Sequence, residues 1–202
     1  MSLWPEERHS QVIAEHASGN SVRTTPPPDD GCRREASVDR GDAEARLSEQ
    51  LEEARRLHED FVLVFLDLDE FGQLNDAHGR RKGDDALALV AQVLRSSARP
   101  RDSVAYRGDD EFVVLMPGAS LVEARDFFER TRAEIVRRSR LLLGFKVRLS
   151  AGAVKFLHDP GDSQDLLETS YYAMYLAKRQ GKDRLFTTVA VRPDEAEAKP
   201  GA

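Results

Sequence analysis

The chain predicts an α/β sandwich on a mixed, mainly antiparallel sheet, and two observations carry that expectation. Apolar, β-rich runs of strand length are interleaved with stretches whose apolar residues recur at helical spacing. Two of the β-rich runs meet at a glycine turn, which marks an antiparallel hairpin inside an otherwise alternating pattern. With 202 residues, the chain has room for one domain with a real core plus tails.

Taken in order, residues 1–42 are polar and broken, with Thr24-Thr-Pro-Pro-Pro-Asp-Asp-Gly31 at their centre. They read as a disordered N-terminal tail; a short docking motif around Trp4 and Ile13 is the alternative. The domain spans 43–190. Ala43 to His58 is a helix, because Leu47, Leu51 and Ala54 share one face. Phe61 to Leu66 is an uninterrupted apolar run and reads as a buried strand. A short helix holds Phe71, Leu74 and Asn75. Asp84 to Ser97 is amphipathic, with Leu87, Val90 and Leu94 in register, and Gly83-Asp84 reads as its start. Ser103 to Met116 forms the hairpin. Leu121 to Arg138 is a long helix studded with arginines. Phe145 to Phe156 is a strand, Gln164 to Lys178 a helix, and Arg184 to Val189 a closing strand. Residues 191–202 read as a second tail, and no internal repeat is visible.

The balance of 30 basic against 36 acidic residues, a formal net charge of -6, argues against a general nucleic-acid binder. Cys32 is the single cysteine, so no internal disulfide forms and a reducing compartment fits. The N-terminus has no apolar signal core, and no apolar run approaches the roughly 18 residues of a membrane span. A soluble, cytoplasmic protein is the expectation.

The most informative stretch is Val104-Ala-Tyr-Arg-Gly-Asp-Asp-Glu-Phe-Val-Val114. It enters as a strand, turns at Gly108, carries three consecutive acids at the turn and leaves as a second strand. Upstream, the strand from Phe61 runs into Asp67-Leu-Asp69. An apolar strand ending in Asp-x-Asp beside an acidic hairpin can jointly hold a divalent cation against phosphates. The plain alternative is that these acids solvate a strand end, but three in a row repel each other without a cation.

These motifs come with others in a fixed order: Asp67-Leu-Asp-Glu-Phe-Gly-Gln-Leu-Asn-Asp76, Gly79, Gly83-Asp84, Gly108-Asp-Asp-Glu-Phe112, Leu149-Ser-Ala-Gly152 and Ala173-Met-Tyr-Leu-Ala-Lys-Arg-Gln-Gly-Lys182. From roughly Ala43 to Thr188 the chain resembles the GGDEF family, which includes diguanylate cyclases joining two GTP into cyclic di-GMP. The resemblance implies the ferredoxin-like palm of nucleotide cyclases, a central, mainly antiparallel sheet flanked by helices. It places Mg²⁺ on Asp67 and Asp110, with Asp110 and Glu111 as the catalytic pair. It gives GTP to Asn75 and Asp84 at the guanine edge, to Gly108 at the phosphates, and to Lys178 and Lys182 at the triphosphate. A carboxylate accepting from guanine N–H groups and an amide completing the edge is sensible chemistry. Cap and turn roles for Asn75 and Asp84, and a solvated basic helix end for the lysines, are the plain alternatives.

The family's inhibitory site is Arg-x-x-Asp, five residues before the signature. Arg99-Pro-Arg-Asp102 matches it in type and offset, and Arg130 is the best match for an arginine contributed by the following helix. The resemblance therefore implies cyclic di-GMP binding by Arg99, Asp102 and Arg130. Arginine stacks on guanine and grips its Hoogsteen edge or a phosphate.

The catalytic half departs from the pattern. Asp109 replaces the second signature glycine, where a side chain obstructs close approach of phosphate and a like charge costs on the order of 2–4 kcal/mol. Gly72 stands where a phosphate-binding lysine is usual; one lost charge-assisted bond costs about 1.5–3 kcal/mol. Arg80, Arg81 and Lys82 are candidate compensations. Tyr106 replaces an arginine, and Arg107 is one place out of phase, on the opposite face by strand alternation. Tyr171 replaces an aspartate. The Asp-x-Leu-Thr-Gly-Leu turn leading into the family's domain is not recognisable.

The expectation is a degenerate domain acting as a cyclic di-GMP receptor with weak or no cyclase activity, passing its signal to an unidentified protein partner. An active cyclase using Mg²⁺ and GTP, which needs two domains face to face as in a homodimer, is the alternative. An adaptor that binds no nucleotide is the third reading.

Overall fold

The computed structural model describes residues 49–157, apart from 55, and residues 163–190. The tails expected at 1–42 and 191–202 lie outside them, as does Leu47. Residues 49–54 are helical and bury Leu51 and Ala54, as their spacing predicts. The elements then run β1 (Phe61–Leu68), α1 (Phe71–His78), α2 (Arg80–Ser97), β2 (Ser103–Gly108), β3 (Glu111–Pro117), α3 (Leu121–Leu142), β4 (Leu149–Phe156), α4 (Ser163–Arg179) and β5 (Leu185–Ala190).

The sheet order is β2-β3-β1-β4-β5. β1 is antiparallel to both β3 and β4, and β2 to β3, while β5 joins β4 in parallel. The mixed, mainly antiparallel sheet flanked by helices is thus the one the sequence predicts.

β1 is central, and all eight of its residues are buried. Its continuous apolar run follows from having both faces covered. Val62, Val64, Leu66 and Leu68 pack with Val90, Leu94, Phe127, Phe128 and Ile135 of α2 and α3. Phe61, Leu63 and Phe65 face the other way, toward Leu51, Ala54, Leu166, Ala173 and Met174. Side chains alternate along a strand, so Asp67 emerges in phase with Phe65, on the face covered by α4.

Two boundaries differ from the sequence expectation. α2 starts at Arg80, not Asp84, because Gly79 adopts φ 84 and both ends α1 and begins α2, its N–H donating to Asn75 O at 2.8 Å. Asp84 therefore lies inside the helix and caps nothing. β4 starts at Leu149 rather than Phe145, whose ring instead stacks on His78 at 4.3 Å. α3 begins at a capping box, with Ser120 Oγ accepting from Glu123 N and the Glu123 side chain accepting from Ser120 N.

Gly152 sets the depth of α4. A Cβ there would lie 2.1 Å from Met174 N and 2.5 Å from Ala173 C, so the α4 backbone rests directly on β4. Lys178, one turn beyond Met174, is carried to the end of β1 by that seating. Gly152→Ala should cost about 1–3 kcal/mol of stability as the helix is pushed off the sheet. Urea denaturation measures this, and an unchanged midpoint would contradict the close approach.

Candidate functional site

The acidic end of the sheet is built by register. Asp67 pairs across to Glu111 of β3 and to Ser150 of β4. Leu68 N donates to Asp110 O at 3.2 Å, tying the hairpin tip to the end of β1. Lys178 Nζ donates to Asp67 Oδ1 from the last turn of α4. Asp67 is only 5% exposed. Burial pushes its carboxyl up to about 7; Lys178 opposes the rise, and Asp110 and Glu111 add to it.

Asp67 with Asp110 fits Mg²⁺. Among the described residues no three acidic or imidazole side chains close into a ready metal cluster. Mg²⁺ does not need one, since it takes one or two carboxylates and completes its shell with water and phosphate oxygens. A cationic ammonium already lies against Asp67, so the position attracts positive charge. When bound, Mg²⁺ would neutralise phosphate oxygens there.

Asp69, the second acid of Asp-x-Asp, has a different task. It is buried and accepts from Ser150 Oγ at 2.6 Å and from Asp183 N at 2.9 Å. It thereby anchors a turn in which Gly181, Lys182 and Asp183 all have positive φ, at 118, 60 and 50°. The Asp183 carboxylate is held in turn by Lys146 at 3.0 Å and Arg132 at 3.2 Å. Lys182 thus lies past the end of α4, not on it, and pairs with Glu70 Oε1 at 3.0 Å. In the sequence Asp69 is legible only as part of the acidic strand end, and Asp183 was missed, because their link joins residues far apart in the chain.

At the hairpin tip, Gly108 pairs with Glu111, and Asp109 and Asp110 form the turn. Asp109 has φ 51, a left-handed conformation that aspartate accepts better than most side chains. Its side chain is exposed, and its carbonyl accepts from Tyr106 OH at 2.9 Å. Two departures from the family pattern thus meet in one hydrogen bond. Tyr106 packs on Phe112, ring centres 5.0 Å apart. Arg107 lies on the other face, its guanidinium 6.0 Å from the Phe65 ring centre. Alternation separates the two as expected, and it puts Arg107 on the Asp67 side of the sheet. Tyr171 packs edge-on against Phe65 at 5.4 Å and 85°. Burial raises its phenol pKa, and Glu111 and Asp67 add to the rise, so it stands beside the acids where an aspartate would add charge.

Asn75 packs its amide against Gly83. A Cβ on Gly83 would lie 1.9 Å from Asn75 Oδ1, so only glycine lets the amide sit there. That oxygen is buried and has no hydrogen-bond partner among the described residues. Asp84 is exposed and has no capping role. At Gly72 an added Cβ meets nothing within 4 Å, so the expected lysine is missing from open space.

Arg99 lies at the other end of the hairpin. Asp102 N donates to Arg99 O at 2.9 Å, closing a turn with Pro100 at its second position, where a fixed φ is favoured. The Asp102 carboxylate, 0% exposed, accepts from Arg99 N at 2.8 Å and Arg99 Nε at 3.1 Å. Asp102 is therefore spent on orienting Arg99, not left open to read a base. The guanidinium also donates to Pro117 O at 3.3 Å and to Glu123 Oε1 at 3.1 Å, and its side chain stays 39% exposed. Arg130 is exposed on α3, two turns from Glu123 on the same side of the helix, about 10 Å along the axis. Arg99 and Asp102 are thus brought together at this edge, while Arg130 stands further along α3, two residues before the Arg132 that reaches Asp183. From Ser103 to Gly108 the hairpin extends about 17 Å, so this edge and the acidic end are separate.

The family model "Diguanylate cyclase, GGDEF domain" matches residues 38–184. The chain is 39% identical over 148 residues to diguanylate cyclase DgcP of Pseudomonas aeruginosa, covering 70% of this chain and 22% of that protein. It therefore spans about a fifth of the length of that relative. Among solved structures, it is similar to the GGDEF domain of DgcB from Caulobacter crescentus in complex with cyclic di-GMP. There the TM-score is 0.67 at 25% identity, covering 77% of this chain and 97% of that one. It is also similar to diguanylate cyclase SiaD in complex with its activator SiaC from Pseudomonas aeruginosa. That match has a TM-score of 0.67 at 27% identity, covering 90% of this chain and 68% of the other.

The Asp67 carboxyl makes a pH prediction. Its folded value near 7 lies above the ordinary 3.8, so the folded chain keeps a proton that the unfolded chain has lost. In metal-free protein its contribution is neutral below the unfolded value and increasingly destabilising as pH rises toward and past 7. Asp67→Asn should therefore gain stability relative to the parent as pH rises from 5 to 8. Denaturant midpoints across that range check this; a gap that shrinks with pH would contradict the buried carboxyl.

Proposed function

The chain belongs to the GGDEF family of diguanylate cyclase domains, and we propose that it works as a cyclic di-GMP receptor with weak or no cyclase activity. The observation that carries this reading is the Arg99 turn. A fully buried Asp102 fixes both the backbone and the guanidinium of Arg99, yet leaves the guanidinium reachable from solvent. A pre-oriented arginine loses little freedom on binding and offers a planar cation for guanine stacking or phosphate. Arg130, exposed on α3, is the candidate for a second cation. The cyclic di-GMP complex of the similar DgcB domain supports this ligand.

The acidic end supports weak chemistry at best. Asp109 introduces a carboxylate at the tip, Gly72 supplies no cation, and Tyr171 changes the surroundings of Asp67. Lys178 and Lys182 are engaged by Asp67 and Glu70. Asp67 and Asp110 would hold Mg²⁺, and Gly108 would present backbone to phosphate. A second reading, an active diguanylate cyclase working as a homodimer, is favoured by the unpartnered Asn75 oxygen and by an exposed Asp84 that caps no helix, polar groups without a structural task of their own. The receptor's output passes to a protein partner; the SiaD complex with its activator is a precedent for such an assembly. Among the described residues no helix is long and apolar enough to cross a membrane.

Calorimetric titration with cyclic di-GMP tests the receptor. Arg99→Ala should weaken binding by about 2–4 kcal/mol, at least tens-fold. Asp67→Asn should leave it nearly intact. No binding by the parent chain, or full affinity in Arg99→Ala, would end the receptor reading. With Mg²⁺ and GTP, turnover should stay well below about 1 s⁻¹; a rate above that would favour the second reading.

A further inference from the structure

Glu123 has two tasks on one carboxylate. Its Oε2 accepts from Ser120 N and Ser120 Oγ, each at 2.8 Å, which closes the N-terminal cap of α3. Its Oε1 accepts from Arg99 NH1 at 3.1 Å. The Ser120 hydrogen bonds hold the carboxyl below the usual range, so it stays charged. The other Arg99 contacts come from a buried carboxylate and a main-chain carbonyl, and both orient the guanidinium. Glu123 differs from them. It is 52% exposed, it approaches from another element, and it covers NH1, a guanidinium edge that a phosphate or a guanine Hoogsteen edge would take.

We propose that Glu123 is an internal competitor for Arg99, an affinity-setting carboxylate that an incoming cyclic dinucleotide must displace. The proposal rests on the receptor reading above. An anionic ligand arriving at NH1 meets a negative oxygen already hydrogen-bonded there, so binding exchanges one charge-assisted contact for another and must overcome like-charge repulsion. The cap makes the competitor persistent, because Ser120 holds Glu123 in place on a long helix and limits its swing away from Arg99. Ligand binding should then leave Ser120–Glu123 intact and break only Glu123–Arg99. The Ser-x-x-Glu spacing was visible in the sequence, but it signals only a helix start; its second partner lies 24 residues upstream.

Glu123→Gln isolates the charge, since glutamine also serves at this position of a capping box. In titrations of the full chain with cyclic di-GMP, Glu123→Gln should bind about five- to tenfold tighter than the parent. Ser120→Ala, which keeps the carboxylate but holds it less firmly, should gain clearly less than Glu123→Gln. If the parent binds and Glu123→Gln binds no tighter, the competitor role is wrong; weaker binding would make Glu123 a support for Arg99 instead. An equal gain in Ser120→Ala would assign the effect to the cap and also overturn the proposal. If neither the parent nor Glu123→Gln binds, the receptor reading fails and the competitor with it. Binding by Glu123→Gln alone would support the competitor while showing that the native site is closed.

Discussion

Two carboxylates buried at the end of the central strand govern the rest of this fold. β1 is covered on both faces, so Asp67 and Asp69 leave it inside the protein, where an unpaired charge is costly. Asp67 is met by Lys178, which requires α4 to lie against β4, which requires Gly152. Asp69 is met by Ser150 and by the Asp183 backbone, which requires a turn with three consecutive positive φ values after α4. The seat of α4, the path into β5 and the position of Lys182 all follow from satisfying those two groups.

The same sheet presents different chemistry at its two ends. At the acidic end, changes cluster: Asp109 at the tip, Tyr106 holding its carbonyl, Tyr171 against Phe65, and an empty surface at Gly72. Tyr106 donates to the Asp109 carbonyl and so supports the turn at the tip. At the other end, the Arg99 turn is complete, with proline, buried carboxylate and guanidinium in mutual register. A chain can lose close phosphate contact at one end without disturbing the other, because about 17 Å of hairpin lies between them.

Much of this was legible in the sequence. The run from Phe61 to Leu66 reads as a buried strand, and the glycine turn at Gly108 marks the hairpin. Ordered motifs placed Asp67, Asp110, Arg99 and Lys178. What was not legible depends on long-range satisfaction of polar groups. Gly83-Asp84 resembles a helix start locally, but the positive φ at Gly79 begins α2 four residues earlier. Lys182 has helical spacing from Lys178, but Asp69 pulls it into a turn. Asp102 looks like a base reader and is consumed by its own arginine. Glu123 looks like a cap and is also a partner of Arg99. In each case, local spacing is silent about the partner across the fold that decides the outcome.

Amide hydrogen exchange with and without cyclic di-GMP tests the central claim most directly, because it reports where along the hairpin the ligand acts. Added protection is expected at residues 99–103 and around 117–123, with none at 67–69, 108–111 or 178–183. Protection confined to the acidic end, or no change anywhere at saturating ligand, would contradict it.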